Sequence, residues 1–429
     1  MMRFFLIFCF ACLPSLFGKE IAVPLATKDP LIPIYCNHFD EKLEAIFLFD
    51  LNHTGYTKTL IHTPEREERS LMARFNPHMW NIDHIHHLIQ VRKEDKTLFF
   101  TLYTTKDPGG RSLGSVHVSG RPSEDRHAIH LITDHLMKAL FNLPGIASSR
   151  LMYAMQIGEG EQTRSEIWTS DYDGQNAAQL THENHYCINP SFIPGNKTHF
   201  IYINFKQGPP KIYIAPFSTG VGAPFLSLRG NQLLPAFSRN GNKIAFISDA
   251  SGRADLFVQS FDPASGPLGI PLQAYTFPHS VQASPCFSPN GEKIAFVSDK
   301  EKTPCIYLIS TPKYSHNNTL PTTIKLTSKY RENTCPNWSP DGKKLAYSAR
   351  VDGVRQIMVY DFASEEEIQL TSGPGHKENP VWGPNSFHLV FNSVDPGASE
   401  LYLINLHQRK PLKISHGPGR KHYPAWGEK

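Results

Sequence analysis

Three short stretches of the sequence hold the side chains best suited to bind a metal or move a proton. His84, His86 and His87 follow Asp83 directly. On a strand, residues two apart face the same way, so His84 and His86 could reach one ion. The chain carries 21 His, however, and an exposed strand start on a His-rich protein explains the group equally well. His182-Glu183-Asn184-His185 has the composition of a zinc-protease helix. Its two His are three apart instead of four, and they fall in a β region, so the motif's geometry fails. Asp171-Tyr172-Asp173-Gly174-Gln175-Asn176 has the start of a calcium loop without the later Glu, and reads as a turn. No metal, cofactor or catalytic residue is expected from these groups. Neither a hydrolase nucleophile elbow nor a Walker loop is expected.

The framework that positions the second and third of these groups is a repeat. A Pro-x-aromatic triplet recurs at Pro190-Ser191-Phe192, Pro235-Ala236-Phe237, Pro285-Cys286-Phe287, Pro336-Asn337-Trp338, Pro380-Val381-Trp382 and Pro424-Ala425-Trp426. The intervals are 45, 50, 51, 44 and 44 residues, the period of four-stranded propeller blades. After the triplet comes a turn, clearest as Ser339-Pro340-Asp341-Gly342 and Ser288-Pro289-Asn290-Gly291. Pro presets φ at the second position and Gly closes the turn, which predicts a type I hairpin. Second strands follow as Ile244-Ala245-Phe246, Ile294-Ala295-Phe296 and Leu345-Ala346-Tyr347. The segment 151–189 has later strands of a blade but no first strand, and the C-terminus ends on a lone first strand. Joining the two closes a ring of six blades over 150–429 and removes open sheet edges.

Residues 19–149 lack the repeat and predict a small α+β domain. Asp40 to Leu51 has helical spacing. Leu88–Val91 and Leu98–Tyr103 flank a charged turn as a hairpin, and Val116–Val118 adds a strand. Ile21–Val23 is a further expected strand. Ser123 is the expected cap of a helix with Ile129, Ile132, Leu136 and Leu140 on its buried face. The short linker after it implies close packing of the two domains. Residues 1–18 read as a secretory signal peptide: Met1-Met2-Arg3, ten apolar residues from Phe4 to Leu13, then Pro14, Ser15 and Gly18. Ten residues are too few to span a bilayer, so no direct membrane insertion is expected. The five later cysteines, Cys36, Cys187, Cys286, Cys305 and Cys335, are odd in number and widely spaced. They read as small, mostly buried hydrophobes without a disulfide framework. A net charge of +4 gives no concentrated basic face, so no nucleic-acid partner is expected.

The repeat P-x-[FW]-S-P-[DN]-G-x-[KE]-[IL]-A-[FY] resembles that of TolB-type propellers. Asp50-Leu51-Asn52-His53-Thr54-Gly55-Tyr56 resembles a TolB stretch of the form D-L-x-x-S-G-x-F. Arg126-His127-Ala128-Ile129-His130, with Asp134 and the exit from Leu143 to Ala154, resembles the family's helix and its entry to the propeller. The similarity covers nearly the whole chain after the signal peptide, with departures at Asn142, Leu143, Pro144 and from Thr27 to Asn37. It implies a periplasmic adaptor of a Tol-Pal system, acting as a monomer. It also implies a Pal-like lipoprotein bound at one mouth of the channel, and a TolA-like inner-membrane protein bound by the N-terminal segment Lys19, Glu20, Ile21, Ala22 and Val23.

The loops entering the first strands converge at one mouth. The expected partner contacts there are Asn189, Leu234, Ala283, Ser284, Asn333, Thr334, Asn379 and Tyr423. They are apolar, small or amide-bearing, which suits protein binding. The alternative is a periplasmic lyase or hydrolase working at the channel mouth, which needs charged clusters across blades.

Overall fold

The computed structural model describes residues 31–427 except 73, 159, 313–320 and 409. The expected signal peptide, the strand Ile21–Val23 and the segment Lys19–Val23 lie outside the described residues. Among the described residues, no helix is long and apolar enough to cross a membrane.

The N-terminal domain runs β1 (Ile32–Cys36), α1 (Glu41–His53), β2 (Thr57–Thr59), α2 (Pro64–Ser70), α3 (Pro77–Asn81), β3 (His87–Glu94), β4 (Thr97–Thr104), β5 (Arg111–His117) and α4 (Pro122–Phe141). Its sheet has the order β2-β1-β3-β4-β5. β1 is parallel to both neighbours, and the hairpins β3–β4 and β4–β5 are antiparallel. Side chains alternate across a strand. Ile34 and Cys36 therefore face α1 and α4, joining Phe47, Leu51, Ile129, Ile132 and Leu136 in one core. Tyr35, between them, faces the other way and packs with Trp80, Ile85 and Leu88. Asp40 caps α1, its carboxylate accepting from Leu43 N at 3.2 Å. The cap of α4 departs from expectation. Arg121 is the N-cap and Pro122 takes the first helical position, which moves Ser123 inside the helix. Pro needs no N–H partner there and its φ is already helical.

The propeller has six four-stranded sheets. Blade 1 joins Arg420–Gly427 to Arg150–Ile157, with Lys421 opposite Met155 and Trp426 opposite Leu151. The ring is thus closed by the last strand, as the complementary ends of the repeat imply. The turns form as expected, with Gly342 N donating to Ser339 O at 2.9 Å and Gly291 N to Ser288 O at 2.8 Å. The centres of the second strands are apolar for a physical reason. In blade 3, Ile244 and Phe246 pack toward blade 2, while Ala245 and Ile247 pack toward blade 4. Each blade is covered on both faces, so both sets of alternating side chains must be apolar.

Gly110-Arg111-Ser112-Leu113-Gly114 does spell G-x-S-x-G, contrary to the expectation of no such match. The serine sits on β5 opposite Thr101 in an antiparallel hairpin, without the strand-to-helix elbow that exposes a nucleophile.

Candidate functional site

The innermost strand of every blade contains an extra residue beside the repeat proline, and that of blade 5 contains a second one near Glu332, at φ 52°. In blade 4, Ala283 pairs with Val297 and Cys286 with Ala295, so three steps on one strand match two on the other. The same shift occurs in the other five blades. This is a β-bulge, and its cause is the proline of the repeat, which has no N–H for the ladder. The residue before each proline has positive φ: Asn189 49°, Leu234 51°, Ser284 46°, Cys335 53°, Asn379 53° and Tyr423 52°. Asn adopts this backbone readily, whereas Leu, Ser, Cys and Tyr do so at a cost on the order of 1–3 kcal/mol each. Six such residues form a ring, one per blade.

These six residues line a channel cavity of about 710 Å³, together with the six repeat prolines. The cavity runs from the ring to the turns after the first strands, including Pro194–Lys197, Pro289 and Pro340. Its lining carries Arg150, Lys197 and Arg239 but no carboxylate and no imidazole.

Of the eight residues expected at the mouth, Asn189, Leu234, Ser284, Asn379 and Tyr423 fall in the ring. Ala283 and Thr334 lie one residue outside it, paired in the ladder. Asn333 points inward. It is fully buried, and its amide donates to Thr327 Oγ1 at 2.9 Å and Tyr330 O at 3.0 Å. The ring member of blade 5 is Cys335, which the expected set omits. Applying the same offset from Pro336 as in the other blades would have found it. Its thiol donates to Asn379 Oδ1 at 3.1 Å, and burial raises its pKa. Cys36, Cys187 and Cys305 are buried, while Cys286 and Cys335 are half-buried, and all five are free thiols.

A charged group also stands at the entry-loop mouth. Arg350 meets Glu332 at 2.9 Å, and Arg355 lies 3.7 Å from Glu378 and 3.3 Å from Thr334 Oγ1. The ring itself carries no charged side chain, whereas this sector of the rim does.

The N-terminal domain docks on the other face. His53 O accepts from His388 Nε2 at 2.8 Å, Gly55 O from His407 Nδ1 at 2.8 Å, and Asn52 O from Gln408 Nε2 at 3.4 Å. His388 follows a first-to-second-strand turn, and His407 and Gln408 lie in a third-to-fourth-strand turn. Antiparallel order puts both kinds of turn opposite the entry loops. Burial holds the His388 ring neutral, with a pKa lowered to about 4. At the centre of the junction lies Asp50, with no exposure. Oδ2 takes His130 Nδ1 at 2.7 Å and Thr133 Oγ1 at 3.0 Å, and Oδ1 takes Tyr172 OH at 2.7 Å. Burial first, then the Asp50 charge, drives the Tyr172 phenol well above its ordinary pKa. Arg126 lays its guanidinium against Asp171 and Asp173. The Asp171–Asn176 turn thus serves as a docking point, and position 174 calls for Gly both because φ is 80° and because a Cβ would strike Ile414 O.

Fold and site together define a two-domain chain whose six-bladed ring presents a bulged inner strand from every blade to a channel. The family model for the TolB beta propeller domain matches residues 137–429. A protein of Protochlamydia amoebophila named as a TolB homolog is 38% identical over 398 residues, covering 87% of this chain and 85% of that one. A TolB homolog of Chlamydia felis is 35% identical over 366 residues, covering 84% and 82%. The crystal structure of TolB from Acinetobacter baumannii superposes with a TM-score of 0.76 at 21% identity, over 93% of this chain and 97% of that one, and so shares the fold. The chain belongs to the TolB family.

Proposed function

We propose that this chain is a non-enzymatic adaptor that holds a Pal-like peptidoglycan-associated lipoprotein at the entry-loop mouth of its propeller. TolB-family membership makes it a periplasmic component of a Tol-Pal-type system. In the finer reading, a TolA-like inner-membrane protein binds the segment Lys19–Val23, and the linked partners support outer-membrane integrity and constriction at division. The observation that carries the reading is the ring of bulge residues. Five of its six members are small or polar, and all six are held by backbone geometry and not by flexible loops. A rigid ring loses little entropy when a partner lands on it. Among the described residues, the N-terminal domain docks on the face opposite the entry loops.

Affinity capture from an envelope extract tests the reading. The full chain is expected to retain a peptidoglycan-binding lipoprotein and an inner-membrane protein. A chain lacking residues 19–23 should lose the second and keep the first. Retention of neither, by correctly folded protein, would overturn the adaptor assignment.

A further inference from the structure

We propose that the N-terminal domain carries a divalent transition-metal site made by His38, Glu44 and His62. β1 and β2 are parallel neighbours, with Ile32 opposite Thr57 and Ile34 opposite Thr59, so the chain leaves both at the same edge of the sheet. His38 follows β1, His62 follows β2, and Glu44 stands in the first turn of α1. Crevices at the carboxyl ends of parallel strands are where such sheets hold ligands.

The ligand atoms converge. His38 Nδ1 lies 3.0 Å from Glu44 Oε1, and His62 Nε2 lies 3.5 Å from the same oxygen. All three atoms lie within 4.8 Å of one another. Ligands about 2.0–2.2 Å from a tetrahedral zinc are separated by roughly 3.3 Å, so little movement is needed. The surroundings hold the ligands in place. Glu44 Oε2 accepts from Phe39 N at 3.1 Å, which steadies the carboxylate with Oε1 turned to the two rings. Behind His62 stands Glu67, its Oε2 at 3.7 Å from His62 Nδ1. That nitrogen is buried and makes no hydrogen bond. Glu67 is itself anchored by Tyr35 OH at 2.9 Å and His38 N at 3.0 Å. A carboxylate behind the far nitrogen of a ligating imidazole is the arrangement that fixes tautomer and raises basicity at metal centres.

Two nitrogens and one oxygen suit zinc, or cobalt and nickel in its place, over magnesium and calcium, which take oxygen ligands. The two imidazoles are stacked, with centroids 3.7 Å apart and planes at 16°. A ring nitrogen's lone pair lies in the ring plane, so the stack must open for both to reach one ion. His38, with 57% of its side chain exposed, is free to swing. Among the described residues a second His-carboxylate group, His130 with Asp171 and Asp173, is already filled by the Arg126 guanidinium.

The full chain, stripped with a chelator, is titrated calorimetrically with zinc alone and with magnesium alone, and melted with and without each. Zinc is expected to bind at one tight site and raise the melting temperature, and magnesium to do neither. His38→Ala changes an exposed side chain and should fold normally while weakening that site at least tenfold. Glu67→Gln should weaken it by about 10–100-fold through the outer shell. His86→Ala, in the His84–His87 stretch, should leave it unchanged. No tight zinc site in the wild type, or the same affinity in His38→Ala, would overturn the proposal.

Discussion

The hairpin turns of the blades and the junction between the two domains both bury polar groups, but over opposite spans of chain. In blade 5, Ser339 O accepts from Gly342 N, and Ser339 Oγ accepts from Lys344 N at 2.9 Å, all within six residues. Blades 3 and 4 repeat the pattern with Ser238 and Ser288. At the junction, Asp50 gathers donors from His130, Thr133 and Tyr172, which are 80, 83 and 122 positions away. The turns are local and present in several copies. The junction is non-local and exists once. Damage to a single turn should therefore stay local, whereas damage to the ring's closure or to Asp50 has no substitute.

Closure is where the largest effect is expected. Deleting residues 422–429 removes most of the strand that completes blade 1 and leaves Arg150–Ile157 as an open edge. It also removes Trp426, whose indole donates to Ser149 Oγ at 2.7 Å and so ties the ring to the interdomain linker. Trp426 is half-buried rather than buried, so its own side chain accounts for only part of the loss. Thermal denaturation should show destabilisation beyond about 5 kcal/mol, or insolubility. An unchanged melting temperature would contradict the closed ring.

Asp50→Ala should follow, at about 3–5 kcal/mol, because three buried donors lose their acceptor. Hydrogen exchange separates the two regions. α1 and α4 should lose protection while the strands of blades 3 to 5 keep theirs. Uniform loss across the chain would mean that the junction supports the propeller as well.

The contrast also explains what could be read from sequence. The blades were legible because Pro-x-aromatic, Ser-Pro-Asp-Gly and Ile-Ala-Phe recur at fixed spacing and each states a local preference. The helix faces of α1 and α4 were legible for the same reason. The junction was not, since nothing in the spacing of Asp50, His130 and Tyr172 says that they meet. His38, Glu44 and His62 are likewise too far apart in sequence to read as a group, whereas His84–His87 form one by adjacency alone. The ring itself was half legible. Pro marks each bulge, but positive φ at residues as unlike as Leu234, Cys335 and Tyr423 is a property of the ladder and not of the residue. Asn333 was misplaced because a mouth-loop amide looks alike in sequence whether it points out or, as here, inward to Thr327.

A smaller, pH-dependent effect is expected at the junction, beside those of His87 and His422, whose burial also lowers their pKa values. His388 is held neutral in the folded chain with a pKa of about 4, below the ~6.5 of an unfolded His. The unfolded state therefore binds the extra proton first as pH falls. The contribution is full above about pH 6.5 and is lost as pH drops toward 4, for a total of roughly 3 kcal/mol. His388→Gln keeps a donor for His53 O without titrating. Denaturant melts across that window should show a shallower pH slope for this variant, and an equal slope would assign the pH dependence to other groups.

The partner site is tested most directly at Ser284. Tyr423 already holds the equivalent ring position in blade 1 with φ 52°, so Ser284→Tyr should be accommodated by the backbone. Thr334→Ile is less clean, because it also removes the acceptor for Arg355. Calorimetric titration of folded Ser284→Tyr with the cognate Pal-like lipoprotein should show binding at least tenfold weaker than wild type, a loss of about 1.4 kcal/mol. Wild-type affinity in that variant would contradict docking on the ring and move the site to another surface.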